Sequence, residues 1–105
     1  MRVMMTVTIP NREGSDALKS GRMQAIIGKF MEEHNPEAAY FSTNDEGERS
    51  GILIFDMQDT SDMPRIGEPL FQGLGARIKF KPCMNIDDLR RGLSQVERTV
   101  ATTLN

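Results

Sequence analysis

Three cations alternate with apolar residues in the segment ARIKFKP, residues 76–82. Arg77, Lys79 and Lys81 therefore share one face of a predicted strand. On a strand at a sheet edge, such cations discourage pairing with a wrong strand. Alternatively, Arg77 or Lys79 binds a carboxylate or phosphate in a cavity, since a guanidinium suits bidentate recognition. A third possibility is an ion pair between subunits, with Asp56 or Glu37 as the acid.

Asp56 and Tyr40 are the side chains best placed for proton transfer on a predicted sheet. Asp56 follows an apolar run, where a carboxylate is costly unless it is paired. Its expected partners are Arg2 or a cation of the last strand, and proton transfer is the alternative role. Tyr40 is the only tyrosine. We expect a packed ring with a satisfied hydroxyl; the alternative is a hydroxyl that orients a ligand or acts as a weak acid.

His34 and Cys83 are the only residues of their types. His34 lies in EEHNP at a predicted helix end, where its cation would interact with the helix dipole. Cys83 has no second thiol and no histidine nearby in sequence, so we expect a packed residue. No zinc-like spacing or phosphate-loop glycine pattern occurs. The sequence therefore predicts no metal and no cofactor, and it identifies no catalytic residue.

Composition limits the possible partners of the chain. A length of 105 residues predicts one domain over 1–105. The formal charge of −2 argues against nucleic acid, and no apolar run approaches the ~20 residues of a membrane span. The first residues alternate like a strand and do not resemble a signal peptide. A single cysteine suits a reducing cytoplasm.

The hydrophobic pattern predicts four strands and three helical regions. The strands are expected at 2–9, 37–43, 51–57 and 76–82. The first helix is expected from about Ser15 to Asn35, and the second from about Glu68 after a short turn at 62–66, because Pro69 is costly inside a helix. The last helix, about 85–104, begins with a cap formed by Asn85 and Asp88. Its apolar stripe consists of Ile86, Leu89, Leu93, Val96, Val100 and Leu104.

This order predicts an α+β, ferredoxin-like βαββαβ fold with an added C-terminal helix. Right-handed crossovers place both internal helices on one face of a four-stranded antiparallel sheet, with strand order 4-1-3-2. Strand three is apolar on both faces, with Ile52 and Ile54 on one side and Leu53 and Phe55 on the other. Its second face therefore needs a cover, either the C-terminal helix or another subunit.

Four segments resemble a group of small bacterial proteins of unknown function. The segments are PEAAYF (36–41), GILIFDMQD (51–59), EPLF (68–71) and GARIKFKPCMNIDDL (75–89). The group is placed with the dimeric α/β-barrel, ferredoxin-like proteins, and the resemblance covers the chain from Met1 to about Leu93. It implies a homodimer that packs two open sheet faces together.

The wider group also contains small-substrate monooxygenases, muconolactone-isomerase-like enzymes and dye-decolourising relatives. Its cofactor-free monooxygenases use a tryptophan or an asparagine–histidine pair. This chain has no tryptophan, and its one histidine lies at a predicted helix end. The resemblance therefore implies no catalytic residue here.

Together these observations predict a cytoplasmic homodimer that binds a small ligand on the open sheet face, with an anionic organic acid as one candidate. The predicted lining is Met4, Thr6, Tyr40, Ile54, Asp56, Arg77 and Lys79. One alternative is an isomerase or cofactor-free monooxygenase in which Tyr40 or Asp56 transfers protons. The other is a structural dimerisation module built on the C-terminal helix.

Overall fold

The computed structural model of the protein describes residues 1–104. Its strands are β1 (Arg2–Ile9), β2 (Ala38–Thr43), β3 (Arg49–Asp56) and β4 (Arg77–Pro82). Its helices are α1 (Asn11–Ser20), α2 (Arg22–His34), α3 (Met63–Leu74) and α4 (Ile86–Leu104). A short 3₁₀ turn, Thr60–Asp62, precedes α3. The predicted ferredoxin-like α+β fold with an added C-terminal helix is confirmed.

The sheet is antiparallel throughout, in the order β2-β3-β1-β4. This is the predicted order, with β3 and β1 in the centre and β4 at one edge. Thr6 lies opposite Ile52 on one side and Lys79 on the other, and Ile52 lies opposite Tyr40. Residues that lie opposite each other share a face, so this register assigns every strand residue to one side of the sheet.

The core lies between the sheet and helices α1 to α3. Alternation along β1 buries Val3, Met5, Val7 and Ile9, and alternation along β3 buries Leu53 and Phe55. Phe30 of α2 meets Phe55 edge-on, with ring centroids 5.6 Å apart. Full burial of side chains such as Met5 and Phe55 contributes about 1.5–3 kcal/mol each. This face of the sheet is therefore the one that stabilises the fold.

The first helical region starts earlier than predicted and is broken. α1 begins at Asn11, directly after Pro10, and not near Ser15. The break is at Gly21, whose φ of +80° is a left-handed conformation that glycine adopts without strain. Two separate helices therefore replace the single predicted one.

α3 is longer than predicted. It starts at Met63 and not near Glu68, because Asp59 caps the preceding turn by accepting a 2.9 Å hydrogen bond from the Ser61 amide. Pro69 lies inside the helix but is exposed, so water can solvate the carbonyl that its missing N–H leaves unpaired. Burial of the Ile66, Leu70 and Leu74 face offsets the cost of the proline.

α4 projects away from the rest of the molecule. It makes no extended contact with any other helix or strand among residues 1–104. The described chain measures 64 × 29 × 19 Å, and its radius of gyration is 17.6 Å, against about 13 Å for a compact domain of this length. The C-terminal helix is therefore not the cover that strand three was predicted to need.

No helix in the described part of the chain is both long enough and apolar enough to cross a membrane.

Candidate functional site

The predicted site residues share the open face of the sheet. Only Asp56 among them borders an open groove of about 410 Å³, which Arg2, Glu37 and Asp88 of the described chain also line. Met4 and Thr6 lie in the middle of this face and are half-buried, as is Ile54. Tyr40 is 71% exposed, so its ring is not packed in this chain as we expected. The face is mostly apolar in the centre, with Arg77, Lys79 and Lys81 along the β4 edge.

The charged members of the predicted set have local partners. Arg77 donates to Glu48 with an Nη2–Oε1 distance of 2.7 Å. A hydrogen bond from Asn44 and the nearby Arg77 guanidinium hold the pKa of Glu48 below its ordinary value. Arg77 is therefore engaged with the β2–β3 turn, whereas Lys79 has no acidic partner among residues 1–104.

Asp56 does not lie in a closed site. Its carboxylate is exposed and accepts a 2.8 Å hydrogen bond from the Met1 amino group. The expected partner Arg2 instead binds Asp88 of α4 at 2.7 Å, and it also binds Glu37. The hydrogen bond to Glu37 is the main reason that the pKa of Arg2 lies above its ordinary value. Asp56 is therefore an exposed carboxylate that pairs with the Met1 amino group and not with Arg2.

An apolar cavity of about 310 Å³ lies on the opposite side of the sheet, between β1 to β3 and helices α2 and α3. Phe41, which is 57% exposed, lies at its rim on the β2 edge. Ser42 and Ser50 also border the cavity, but strand alternation directs their side chains to the open face. The remaining lining is Met5, Val7, Ile9, Met23, Ile27, Phe30, Arg49, Gly51, Leu53, Leu70 and Leu74.

Arg49 is the only charged residue in the described lining of this cavity. It is half-buried on the helix-facing side of β3, and none of residues 1–104 provides it with a carboxylate partner. Its guanidinium donates to the Asn11 carbonyl and to the Ser15 hydroxyl, each at 3.2 Å. Two of its five N–H donors are therefore engaged by neutral groups, and within residues 1–104 its charge is not balanced by a carboxylate.

Gly14 of α1 makes room for this guanidinium. A Cβ at Gly14 would lie 2.8 Å from Nη1 of Arg49 and 3.0 Å from Cγ2 of Ile9. Glycine inside a helix costs about 1 kcal/mol relative to alanine. The close approach of Arg49 gives a physical reason for a glycine at this point of α1.

Sequence reasoning missed Arg49 because it placed the start of strand three at residue 51. β3 in fact begins at Arg49. Extending the alternation of Phe55, Leu53 and Gly51 backwards by one step places Arg49 on the core-facing side. That alternation was the available signal.

His34 differs from its predicted role at the helix end. Its side chain is 8% exposed, with its ring 4.7 Å from that of Phe30 and 6.0 Å from that of Phe55. Burial, and then the charge of Arg65, hold the pKa of His34 below its ordinary value. A neutral packed imidazole therefore replaces the expected cation at the end of α2. It borders an open groove of about 550 Å³ between α2 and α3.

Cys83 is half-buried beside the start of α4, where its amide donates to the Arg2 carbonyl at 3.2 Å. Among residues 1–104, no group of three or more histidine, cysteine, aspartate or glutamate side chains is placed to hold a metal ion.

Comparison with known proteins supports the fold. No family model matches the chain, and no curated protein matches it. It is similar to the solved structure of the uncharacterised protein TM1266 from Thermotoga maritima, with 17% identity and a TM-score of 0.56, over 79% of this chain and 96% of that one.

A second similar structure is that of a protein from Deinococcus radiodurans proposed to be an antibiotic biosynthesis monooxygenase. It shares 10% identity, with a TM-score of 0.45, over 81% of this chain and 94% of that one. The similarity to the Thermotoga maritima structure supports the ferredoxin-like fold.

Proposed function

We propose that this protein binds a small, mostly apolar carboxylic acid in the cavity between sheet and helices, with Arg49 holding the carboxylate. The proposal keeps the small anionic ligand predicted from the sequence but moves it to the other face of the sheet. The observation that carries it is Arg49, a half-buried arginine without an acidic partner in the described chain, on a lining that is otherwise mostly apolar.

The size and chemistry of the cavity support binding. Its volume of about 310 Å³ is at the lower end of the range of ligand pockets, roughly 300–1,000 Å³. The described lining has no carboxylate, imidazole, thiol or phenol that could transfer a proton. The function that this set of side chains supports best is therefore binding, and we add no second candidate.

We further propose that a second copy of the chain covers the open sheet face and that the protein is cytoplasmic. Ile52 is 42% exposed beside Tyr40 on that face, and α4 does not shield either residue. An apolar strip at the centre of a sheet face is typical of a surface that is buried on association. The cytoplasmic location rests on the single cysteine.

The ligand proposal is tested with a matched pair of probes, hexanoate and hexan-1-ol, titrated by calorimetry. We expect the acid to bind more tightly than the alcohol, by about tenfold or more, because hydrogen bonds to charged groups contribute about 1.5–3 kcal/mol. Arg49→Gln should abolish this preference and leave weak apolar binding of both probes. Gly14→Ala should reduce the preference by displacing the guanidinium.

Lys79→Gln is the matched control, since it removes one cation from the open face. It should leave the preference for the acid unchanged. Equal binding of acid and alcohol to the unmodified protein would contradict the proposal. If Lys79→Gln lost the preference for the acid and Arg49→Gln kept it, the ligand would bind on the open face of the sheet and not in the cavity.

A further inference from the structure

The apolar side of α4 has no partner within the described chain. Ile86, Leu93 and Val96 are each more than half exposed, and Leu89 and Val100 are 38% and 46% exposed. The side chain of Leu104, the last member of the predicted stripe, lies outside the described residues. Most helices in proteins are stabilised mainly by packing of their apolar face, and Gly92 weakens α4 in addition. The stripe therefore indicates a surface that is buried in the assembled protein.

The spacing of the stripe identifies the kind of partner that fits it. Ile86, Leu89, Leu93, Val96 and Val100 recur at intervals of 3, 4, 3 and 4 residues. This is the a/d pattern of a two-stranded coiled coil, in which each apolar residue packs between side chains of a second helix. A second α4 carries the same pattern and is the simplest partner.

The charges beside the stripe select the orientation of the two helices. With Ile86 at position a, the flanking positions e are Arg90 and Glu97, and one of the flanking positions g is Gly92. In an antiparallel pair, position e faces position e of the other helix. Leu93 then lies opposite Val96, and Arg90 of each copy faces Glu97 of the other, which gives two ion pairs.

A parallel pair lacks these ion pairs. There, position g of one helix faces position e of the next heptad of the other helix. Glu97 would face Gly92, and Arg90 would face Asn85, so neither charge would meet an opposite one. Among residues 1–104, the only acidic contact of Arg90 is an exposed one of 3.9 Å with Asp87, which leaves its charge available to a second copy.

We propose that α4 is an assembly arm that pairs antiparallel with α4 of a second copy, through the a/d stripe and reciprocal contacts between Arg90 and Glu97. This surface is separate from the ligand cavity and from the open sheet face. Pairing through α4 therefore joins two chains, or two sheet-paired dimers, without covering the ligand cavity or the open sheet face.

Charge variants of the full chain test this pairing by sedimentation equilibrium. Glu97→Arg places two arginines opposite each other at both contacts, and Arg90→Glu places two glutamates there. We expect the association of each variant with itself to weaken by about tenfold or more. A mixture of the two variants should associate as tightly as the unmodified chain, because every contact is then between opposite charges.

Arg98→Glu is the matched control, since it changes a charge on the outer side of the same helix and should leave association unchanged. Ile52→Glu on the open sheet face removes the separate sheet contact and should not affect the pairing of arms. If the two charge variants associate with themselves as well as the unmodified chain does, or if their mixture does not recover association, the antiparallel pairing is wrong. Circular dichroism of each variant confirms that α4 remains helical.

Discussion

The imidazole of His34 shows how burial changes the role of a residue that the sequence places correctly. The sequence locates His34 at the end of α2, where a cation interacts favourably with the helix dipole. The fold instead packs the ring against Phe30 and Phe55. Desolvation disfavours the charged form, so the imidazole is neutral over a wider pH range than in the unfolded chain.

This burial makes stability depend on pH in a defined direction. The unfolded chain takes up a proton at His34 near its ordinary pKa of 6.5, whereas the folded chain does so only at lower pH. Stability should therefore fall as the pH decreases from about 7 to about 5, because the unfolded state binds more protons in that window. Chemical denaturation at several pH values measures the effect, and His34→Phe should remove it.

The groups facing His34 do not reverse this sign. Arg65 adds to the lowering of the pKa of His34, and Glu33 and Asp62 oppose it more weakly. Carboxylates with lowered pKa values, such as Glu48 and Asp88, lose their contribution only below their ordinary values of 4.5 and 3.8. An identical pH dependence in the unmodified protein and in His34→Phe would show that the buried imidazole is not its cause.

At the scale of elements, predictions from the sequence were most reliable where a single local signal determines the end of a helix. The Asn85–Asp88 cap of α4 was predicted and is confirmed, with reciprocal amide contacts of 2.8 and 3.1 Å. The predicted start of α3 was wrong. The prediction assigned Pro69 the full free-energy cost of a proline inside a helix, but an exposed proline is tolerated when the opposite face of the helix is well packed. The break at Gly21 was missed because a left-handed residue between two apolar-periodic segments hardly changes the pattern.

The α4 cap gives a prediction at this scale. Asn85→Ala removes the oxygen that accepts from the Asp88 amide, and it should cost about 1 kcal/mol of helix stability. At concentrations where the chain is monomeric, α4 has little packing to compensate, so we expect faster hydrogen exchange of the amides in its first turns. The amides of α3 serve as the internal reference and should not change. Unaltered protection of the first turns of α4 would show that the cap does not stabilise this helix.

At the scale of the whole molecule, the stabilising core and the projecting arm are distinct. Every residue of the buried core cluster lies between Val3 and Ala76. Alternation separated the two faces of each strand but did not determine which face is inward. The strand order followed from the crossover rule, so the fold was predictable from the sequence. The helix-side cavity was not, because it depends on how α2 and α3 pack over the sheet. That residues 1–105 form a single folding unit remains a prediction.

Ending the chain after Asn85 tests that separation. At concentrations where the chain is monomeric, the midpoint of thermal unfolding should shift by no more than about 4 °C, because no core residue is lost. Small-angle scattering should give a radius of gyration closer to the ~13 Å of a compact domain. By contrast, Phe55→Ala should cost about 3–5 kcal/mol. A large loss of thermal stability on truncation would mean that the arm contributes to the core.

The two lateral borders of the sheet differ in a way that affects how it meets other polypeptides. Lys79 and Lys81 on the edge strand β4 discourage pairing with another strand. The other edge strand, β2, has the neutral sequence AAYFST and no neighbouring strand on its outer side within residues 1–104. Main-chain donors and acceptors along β2 thus remain open to an incoming extended peptide. We therefore expect a peptide from another molecule to add to the sheet as a strand beside β2, either as a specific partner or as the first step of aggregation.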